Sequence, residues 1–293
     1  MAQNSHCEKH VGLLAAWGRF PVTVAEALKR DGYRVSCLGV KNLADPVLQV
    51  VCDDFSWMGL ARMGYAVRYF RRQGVRQAVM AGKVHKTLFY QPWMWLKHVP
   101  DIGFVRALGP HFFTNKSDRR DDTLLGAVVN GFARYGIDFH PATHFAPELL
   151  VKPGLIAGAA LTDRQRADVE FGWTIAKEMG RFDIGQCICV RDRTVLAVEA
   201  VEGTDECIRR AGQLCRNGGF TVIKVAKPQQ DLRFDMPTIG VGTLETMRAA
   251  GAKILAVEGD MTILLDEREF RDFATRHKLS VVAMPRASAS VAA

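Results

Sequence analysis

The chain has 293 residues, of which 48% are hydrophobic and 24% are charged, and its formal net charge is +8. This composition is that of an ordinary globular protein with a sizeable core, and it excludes a disordered chain. The longest apolar runs break within about ten residues, short of the roughly 20 that a membrane span needs, so no transmembrane helix is expected. The positive charge favours anionic partners without choosing among nucleic acid, a phosphorylated metabolite and an anionic membrane surface.

Short β-branched runs alternate with helical periods through the first half of the sequence. The predicted strands are residues 11–15, 33–40, 75–80 and 137–140, and the predicted helices are residues 21–30, 59–73 and 121–135. This βαβ order predicts a Rossmann-like parallel sheet covered by helices. A basic run late in the second helix reads as a solvated face near a helix C-terminus, because no nucleic-acid motif accompanies it. Its members are Arg68, Arg71, Arg72 and Arg76.

A segment between the predicted strand ending near Gly82 and the third helix fits neither a strand nor a helix period. Its apolar residues are either an irregular stretch packed on its own domain or a wall that shelters a hydrophobic ligand. The residues are Phe89, Tyr90, Trp93, Met94, Trp95, Leu96, Phe104, Phe112 and Phe113.

The second half restarts the same rhythm after a link containing proline and glycine at residues 151–154. The predicted strands are residues 184–190, 195–199, 220–226, 254–257 and 280–283, and the helices are residues 163–179, 204–217, 243–250 and 267–277. Thr162 is the predicted cap of the first of these helices. We therefore expect two α/β domains, residues 1–152 and 153–293, with the ligand site between them.

The cysteine pattern predicts free thiols. The chain has seven cysteines, and its start lacks the apolar core of a secretory signal, so a cytosolic and reducing location is expected. Cys187 and Cys189 lie in an apolar run with no matching Cys or His pair elsewhere, which favours buried thiols over a metal clamp.

The densest set of charges lies in two stretches of the second half, residues 198–205 and 224–237. Glu199 ends a predicted strand, and the start of the next helix offers backbone donors between two further carboxylates. These helix-start residues are Glu202, Gly203, Thr204 and Asp205.

The second of these stretches adds cations to the carboxylates. Lys224 and Lys227 lie near the end of a strand, and in the following loop an extended backbone would put Asp231, Arg233 and Asp235 on one face. Carboxylates suit Mg²⁺, and lysine and arginine suit phosphate oxygens, so the pattern favours phosphoryl or pyrophosphate chemistry. A structural ion-pair network, with an ordinary helix cap, remains an alternative.

Two loops of the first half are weaker phosphate candidates. Gly82 and Lys83 follow a strand but lack the other residues of a P-loop, so they predict only a generic phosphate contact. The loop at residues 12–21 lacks the G-x-G-x-x-G fingerprint, so dinucleotide binding is not predicted.

Six blocks of the sequence, residues 12–21, 80–84, 121–125, 183–186, 196–205 and 227–240, resemble in order the LpxI-type UDP-2,3-diacylglucosamine pyrophosphatases. The resemblance implies a metal-dependent, cytosolic enzyme of Gram-negative lipid A biosynthesis that releases UMP and 2,3-diacylglucosamine 1-phosphate (lipid X). It implies attack by water at the phosphorus nearer the sugar. It implies no nucleic-acid partner and no obligate protein partner, and it leaves open a peripheral contact with the cytoplasmic face of the inner membrane.

The resemblance and the charge pattern together assign residues to roles. The implied catalytic residues are Asp231, Glu202, Asp205 and Asp235. The implied substrate-binding residues are Lys224, Lys227, Gln230, Arg233, Thr204, Gly203, Gly82 and Lys83. The implied cofactor is Mg²⁺ or another divalent metal, with Asp231, Glu202 and Glu199 as its ligands.

The chain departs from the family pattern at two places. Gln229 stands where the family usually has glycine, and Ala16-Trp17 replaces a more glycine-rich loop. The first change could alter a tight turn beside Asp231, and the second could alter how the amino-terminal loop meets the nucleotide. Gln229 keeps one alternative open, a non-catalytic module that binds a nucleotide-sugar lipid. An ATP-using phosphotransferase is not favoured, because no glycine loop that cradles phosphates is present.

Overall fold

The computed structural model describes residues 9–84, 100–106 and 121–286, with the backbone alone for residues 121–124. The chain forms two compact units. Unit 1 comprises Met1–Pro147 and Asp231–Asp235, and unit 2 comprises Glu148–Gln230 and Met236–Ala293. A compact unit is not by definition a folding domain, so the boundary expected after residue 152 stays a prediction.

Unit 1 contains a five-stranded sheet with helices around it. The strands are β1 (His10–Ala15), β2 (Arg34–Val40), β3 (Asp54–Met58), β4 (Gln77–Ala81) and β5 (Asp138–His140). The helices are α1 (Phe20–Arg30), α2 (Leu48–Val51), α3 (Met63–Gln73), α4 (Asp121–Ala133) and α5 (Ala142–Phe145). All neighbouring strands are parallel, in the order β3-β2-β1-β4-β5. The predicted parallel α/β sheet is confirmed.

The order of the strands changes direction between β1 and β4. The chain first builds outward from β1 to β3 and then returns to place β4 on the other side of β1. Ligands of open α/β sheets bind outside the carboxyl ends of the strands at such a switch point. The loops that leave β1 and β4 are therefore the candidate ligand loops of this unit.

Strand β3 was not predicted, because most of its residues are only partly buried. It is an edge strand in which Met58 alone is fully buried, so it lacks the continuous apolar run of a central parallel strand. The helix predicted from residue 59 begins instead at Met63, because residues 60–61 form a turn.

Of the predicted aromatic wall, Phe104 is described and packs against the core of unit 1. The other eight residues lie outside the described residues.

Unit 2 contains a larger, mixed sheet. Its strands are β6 (Gly154–Ala157), β7 (Cys187–Arg191), β8 (Thr194–Val198), β9 (Thr221–Lys224), β10 (Thr238–Ile239), β11 (Ile254–Glu258), β12 (Ile263–Leu264) and β13 (Ser280–Met284). Its helices are α6 (Asp163–Arg181), α7 (Thr204–Leu214), α8 (Val241–Ala250) and α9 (Glu267–Arg276), and a 3₁₀ turn spans Pro147–Leu149.

Six of these strands form the main sheet in the order β6-β13-β11-β9-β7-β8, and β10 and β12 form a separate parallel pair. The central strands β13, β11 and β9 are parallel, whereas β6, β7 and β8 run antiparallel to their neighbours. Both halves of the chain are therefore α/β, as the sequence predicts.

Alternate side chains of the central strands pack into two separate hydrophobic cores. Val222 packs with Cys187 and Cys189 in one core, and Ile223 packs with Ile188 in the other. This alternation is expected of strands that are covered on both faces, because successive side chains point to opposite sides. The prediction that the two cysteines are buried thiols is confirmed.

The start of α6 and one helix end show how local chemistry sets the boundaries. The Thr162 side chain accepts a hydrogen bond from the backbone N–H of Gln165 at 3.3 Å, and the Gln165 side chain accepts one from the N–H of Thr162 at 2.9 Å. This reciprocal pair is a capping box and confirms the predicted cap. Helix α7 ends at Leu214, three residues earlier than predicted, because Cys215 leaves the helical conformation.

Candidate active site

One of the charged residues predicted in the second half, Lys224, lies at the carboxyl end of β9, beside the carboxyl end of β11. Lys224 is the last residue of β9, and Glu258 is the last residue of β11. Because β9 and β11 are parallel neighbours, their carboxyl ends lie at the same edge of the sheet. This edge is the usual position of a ligand site in an α/β sheet.

Lys224 is almost fully buried at this edge, with 3% of its surface exposed. Its ammonium group donates a hydrogen bond to the backbone carbonyl of Thr238 at 3.0 Å. A buried lysine is costly unless it is paired in this way. The side chain therefore ties the start of β10 to the end of β9. Its predicted role in substrate binding stays a prediction.

Lys227 is held by a carboxylate that was not assigned a role from the sequence. Its ammonium group forms an ion pair with Asp183 at 2.6 Å, and Asp183 has a positive φ of 56°. The backbone N–H of Lys227 donates to the side-chain oxygen of Gln230 at 3.0 Å. The amide nitrogen of Gln230 is buried and has no partner among the described residues. A buried donor without a partner is a candidate ligand contact.

Glu199 is the most buried carboxylate of the predicted set, with 7% of its surface exposed. It accepts hydrogen bonds from the Thr204 hydroxyl at 3.0 Å and from the backbone N–H of Gln186 at 3.2 Å. A Cβ atom on Gly185 would lie 2.1 Å from the Glu199 carbonyl oxygen, so this approach requires glycine. The side-chain oxygen of Gln186 is buried without a partner among the described residues.

Glu202 and Asp205 flank the start of α7 as predicted. Glu202 accepts a hydrogen bond from the backbone N–H of Ala200 at 3.1 Å and forms an ion pair with Arg210 at 2.5 Å. Gly203 is the residue before the helix and has a positive φ of 86°, which glycine adopts without strain. Asp205 lies in the first turn, where the helix dipole stabilises a negative charge.

The loop at residues 231–235 differs from the prediction. It forms a turn and not an extended strand: the N–H of Asp235 donates to the carbonyl of Asp231 at 3.1 Å. The Asp231 side chain accepts the N–H of Arg233 at 3.0 Å, which is the hydrogen bond of an Asx turn. The expectation that Asp231, Arg233 and Asp235 share one face of an extended segment is wrong.

Asp231 and Arg233 form a two-pronged ion pair. The Arg233 guanidinium contacts the two carboxylate oxygens at 2.9 Å and 2.6 Å. These side-chain hydrogen bonds are the main reason why the pKa of Asp231 lies below its usual value, and the backbone N–H of Arg233 adds to the effect. The segment belongs to unit 1, and Phe234 packs against the core of that unit.

A buried ion pair at the same sheet edge was not predicted. Lys177 of α6 contacts Glu258 at 2.5 Å, and Glu258 is 2% exposed. The Lys177 ammonium also donates to the carbonyl of Ala226 at 3.0 Å, while the N–H of Ala226 donates to Glu258 at 2.9 Å. The pair therefore fixes both backbone groups of Ala226, the residue that precedes Lys227.

The switch point of unit 1 brings the Gly82 loop against the end of β1. The N–H of Ala16 donates to the carbonyl of Ala81 at 2.9 Å, and Trp17 and Lys83 exchange two backbone hydrogen bonds at 3.1 Å and 2.8 Å. A Cβ atom on Gly82 would lie 2.7 Å from the Ala16 carbonyl carbon, and Gly82 has a φ of 99°. Glycine is required here by both conformation and space.

We expect Gly82→Ala to destabilise unit 1 more than Gly18→Ala. Gly18 has a similar φ of 107°, but a Cβ there would meet no atom within 4 Å. Both variants carry the strain of a left-handed alanine, and only Gly82→Ala adds a backbone clash, so we expect about 2 kcal/mol of additional loss. Urea unfolding measures the difference. Equal losses in the two variants would show that the close approach to Ala16 has no energetic weight.

The predicted metal ligands are three carboxylates. Carboxylate oxygens are the ligands that Mg²⁺ prefers, so Asp231, Glu202 and Glu199 are chemically suitable. Within the part of the chain that the structure describes, however, no three His, Cys, Asp or Glu side chains are grouped closely enough to hold a metal ion. The ligand set therefore stays a prediction.

Both halves of the chain match the domains of one protein family. The LpxI N-terminal domain matches residues 10–149, and the LpxI C-terminal domain matches residues 152–282. The chain belongs to the LpxI family. The UDP-2,3-diacylglucosamine pyrophosphatase LpxI of Caulobacter vibrioides is 30% identical over 267 residues, which cover 88% of this chain and 90% of that protein. The LpxI resemblance inferred from the sequence blocks is confirmed.

A biotin carboxylase structure from Campylobacter jejuni aligns over 71% of this chain and 42% of its own, at 12% identity and a TM-score of 0.26. A similarity of that size does not show a shared fold or function. Among the described helices, none combines the length and the apolar character that a bilayer crossing needs.

Proposed function

We propose that this chain hydrolyses the pyrophosphate bond of UDP-2,3-diacylglucosamine in lipid A biosynthesis, releasing UMP and 2,3-diacylglucosamine 1-phosphate. The observation that carries the proposal is the match of both LpxI domains in order, with a relative named for this activity that aligns over 88% of the chain. The cations and carboxylates around the carboxyl ends of β9 and β11 support it, because a pyrophosphate is an anionic substrate.

Asp231 is the residue that we assign to the attacking water. Its pKa lies below the usual value, chiefly because of the Arg233 side chain, so the carboxylate is ionised at neutral pH and accepts hydrogen bonds. An ionised carboxylate orients a water molecule by accepting a hydrogen bond from one of the water O–H groups. The water oxygen bonds to the phosphorus nearer the sugar, UMP leaves with the bridging oxygen, and the proton passes through Asp231 to solvent.

Lys227 and Arg233 are the cations that we assign to the phosphate oxygens. Each is oriented by a carboxylate, Asp183 for Lys227 and Asp231 for Arg233. A guanidinium has five donors, and the bonds to Asp231 use only its Nε and one terminal nitrogen. Arg233 therefore has further donors for phosphate oxygens while it keeps its carboxylate partner.

Two buried amide groups are the polar contacts that we assign to the rest of the polar substrate. Gln230 offers a donor, its side-chain nitrogen, and Gln186 offers an acceptor, its side-chain oxygen. Neither atom has a partner among the described residues, and buried polar atoms normally have one. A nucleotide sugar supplies both hydrogen-bond donors and acceptors, so it can satisfy both amides.

The two departures from the family pattern fit the backbone. Gln229 lies exposed in a turn, and neither it nor Trp17 is among the residues with a positive φ. No glycine is therefore required at either position. This observation weakens the alternative of a non-catalytic binding module, whose main support was the loss of a tight turn beside Asp231.

Purified protein incubated with UDP-2,3-diacylglucosamine tests the activity. We expect UMP to appear at the rate at which the substrate disappears. Substrate that binds without UMP release would favour the binding module instead, and in that case Gln229→Gly is the first change to examine. Release of UDP in place of UMP would contradict cleavage of the pyrophosphate.

We also propose that hydrolysis requires a divalent metal. A bound ion supplies charge neutralisation to the pyrophosphate oxygens. We expect a chelator to abolish UMP release and added Mg²⁺ to restore it. A matched sample, chelated and then returned to metal-free buffer, controls for inhibition by the chelator itself, and recovery with Mg²⁺ excludes unfolding. Full activity in that metal-free sample would contradict the requirement.

A further inference from the structure

A groove of about 530 Å³ on unit 1 is lined by basic side chains and has no role in the site described above. It lies between α3, residues 102–106 and the end of α4. Every charged residue in its described lining is an arginine: Arg68, Arg71, Arg72, Arg106 and Arg134. Three of them belong to the basic run that the sequence analysis interpreted as a solvated helix face. The groove shows that they converge with two arginines that are distant in sequence.

Helix α3 presents its arginines on one face because of their spacing. Arg68, Arg71 and Arg72 are three and four residues apart, so they project to the same side of the helix. The other side carries Ala66 and Phe70, which are fully buried. Among the described residues, none of the five groove guanidiniums forms a hydrogen bond or an ion pair. The groove therefore concentrates positive charge, and Asp101 offsets part of it through its electrostatic interaction with Arg68.

Residues 102–106 form the wall of the groove opposite α3, and Asp101 holds this segment in place. Its carboxylate accepts hydrogen bonds from the backbone N–H groups of Gly64, Tyr65 and Phe104 at 3.0, 2.9 and 2.9 Å. Burial alone would raise the pKa of Asp101, but these donors outweigh it and hold the pKa below its usual value. A Cβ on Gly103 would lie 2.6 Å from the Gly64 backbone. The wall is therefore built against the start of α3.

Exposed apolar residues lie in the groove lining and on the segment beside it. Ile102 is 76% exposed and Val105 is 51% exposed, and both lie on the segment that Asp101 fixes. Tyr135, which lines the groove at the end of α4, is 48% exposed. Exposed apolar residues beside several arginines are typical of surfaces that lie in a lipid headgroup layer. A single-stranded nucleic acid would instead need several stacking aromatic side chains.

We propose that this arginine groove docks the protein onto an anionic phospholipid surface. The guanidiniums bind lipid phosphates as two-pronged donors, and Ile102 and Val105 enter the headgroup layer. The inference goes beyond the proposed function, since it concerns a surface of unit 1 that is not assigned to the chemistry. It would hold the enzyme at the surface where a diacylated substrate resides.

Sedimentation with lipid vesicles tests the docking surface. The full chain is mixed with vesicles of phosphatidylcholine alone or with phosphatidylglycerol added, and the bound fraction is measured. We expect binding to the anionic vesicles only. The triple variant Arg68→Gln, Arg71→Gln, Arg134→Gln should bind about 100-fold more weakly, because each cation near an anionic surface contributes about fivefold.

A charge-matched triple variant controls for net charge. Arg209→Gln, Arg216→Gln, Arg248→Gln removes three exposed arginines of unit 2 and should retain most of the binding. Ile102→Ser with Val105→Ser should weaken binding without changing charge. Equal weakening in the two arginine triples would overturn the proposal, as would an absence of vesicle binding in the wild type. Binding of soluble glycerol phosphate by the groove without vesicle binding would also overturn it.

The hydrolysis of substrate dissolved in detergent separates this proposal from the proposed function. The groove triple variant should hydrolyse detergent-dispersed substrate at the wild-type rate. Loss of that activity would contradict our separation of the groove from the catalytic residues. Vesicle binding by a protein that hydrolyses nothing would leave the docking surface intact and refute the activity alone.

Discussion

Replacing Asp231 by asparagine is expected to lower the rate of UMP release by about 10²–10⁴-fold, the range in which a positioned acid–base group contributes. The variant keeps the size of the side chain and removes the charge that orients the water. Its stability should change little. The Asp231 and Arg233 side chains are 27% and 35% exposed, and ion pairs with this degree of exposure contribute about 1 kcal/mol or less.

Asp45→Asn is the matched control for this experiment. Asp45 is exposed in unit 1 and, like Asp231, accepts the backbone N–H of the second residue after it, here Val47 at 2.9 Å. The two variants therefore make the same chemical change in the same kind of turn. Wild-type turnover in Asp231→Asn, or an equal loss in Asp45→Asn, would contradict the role that we assign to Asp231.

The largest effect on stability is expected for Lys177→Met. This change leaves the Glu258 carboxylate buried with the N–H of Ala226 but without a countercharge. Removing one partner of a buried ion pair costs about 3–5 kcal/mol, so we expect a loss of that order in the free energy of unfolding. Turnover should also fall, because Ala226 begins the loop that carries Lys227 and Asp231.

Two controls identify the cause of that loss. Arg181→Met removes the cation of an exposed pair with Glu178 on the same helix, and it should cost about 1 kcal/mol or less. The double variant Lys177→Met, Glu258→Gln should recover much of the stability, because no buried charge is left alone. The single variants Lys177→Met and Glu258→Gln are measured beside it. If their losses in the free energy of unfolding simply add in the double variant, the uncompensated charge is not the cause.

The strands at the site could be predicted because their sequence is continuous and apolar. β9 and β11 are buried on both faces, and the apolar pattern located both strands. It did not give their ends, because the first was predicted to run two residues beyond Lys224 and the second to stop one residue before Glu258. β3 lacks such a pattern. It lies at the sheet edge, where half-buried positions accept polar residues and the pattern disappears.

The sequence around Asp231 is also compatible with a turn, but the alternation of charges led to the prediction of an extended segment. An aspartate followed two residues later by an available N–H is typical of an Asx turn, and the flanking prolines shorten the segment available for a strand. The predicted alternation Asp231, Arg233, Asp235 assumed a side-chain period of two, which applies only to extended backbone.

The Lys177–Glu258 pair could not be predicted by spacing. The two residues are 81 positions apart, one on a helix and one at a strand end, and only the packing of α6 on the sheet brings them together. The sequence places each charge beside apolar residues, which indicates that a partner is needed. It does not identify which of the 39 lysines and arginines provides it.

Mass spectrometry of both reaction products, formed in water enriched in ¹⁸O, tests the account most directly. We predict that UDP-2,3-diacylglucosamine yields unlabelled UMP and 2,3-diacylglucosamine 1-phosphate that carries one ¹⁸O atom, because water attacks the phosphorus nearer the sugar. Label in UMP would contradict the assigned point of attack. Failure to form either product, by a protein that is folded and supplied with Mg²⁺, would contradict the proposed hydrolysis itself.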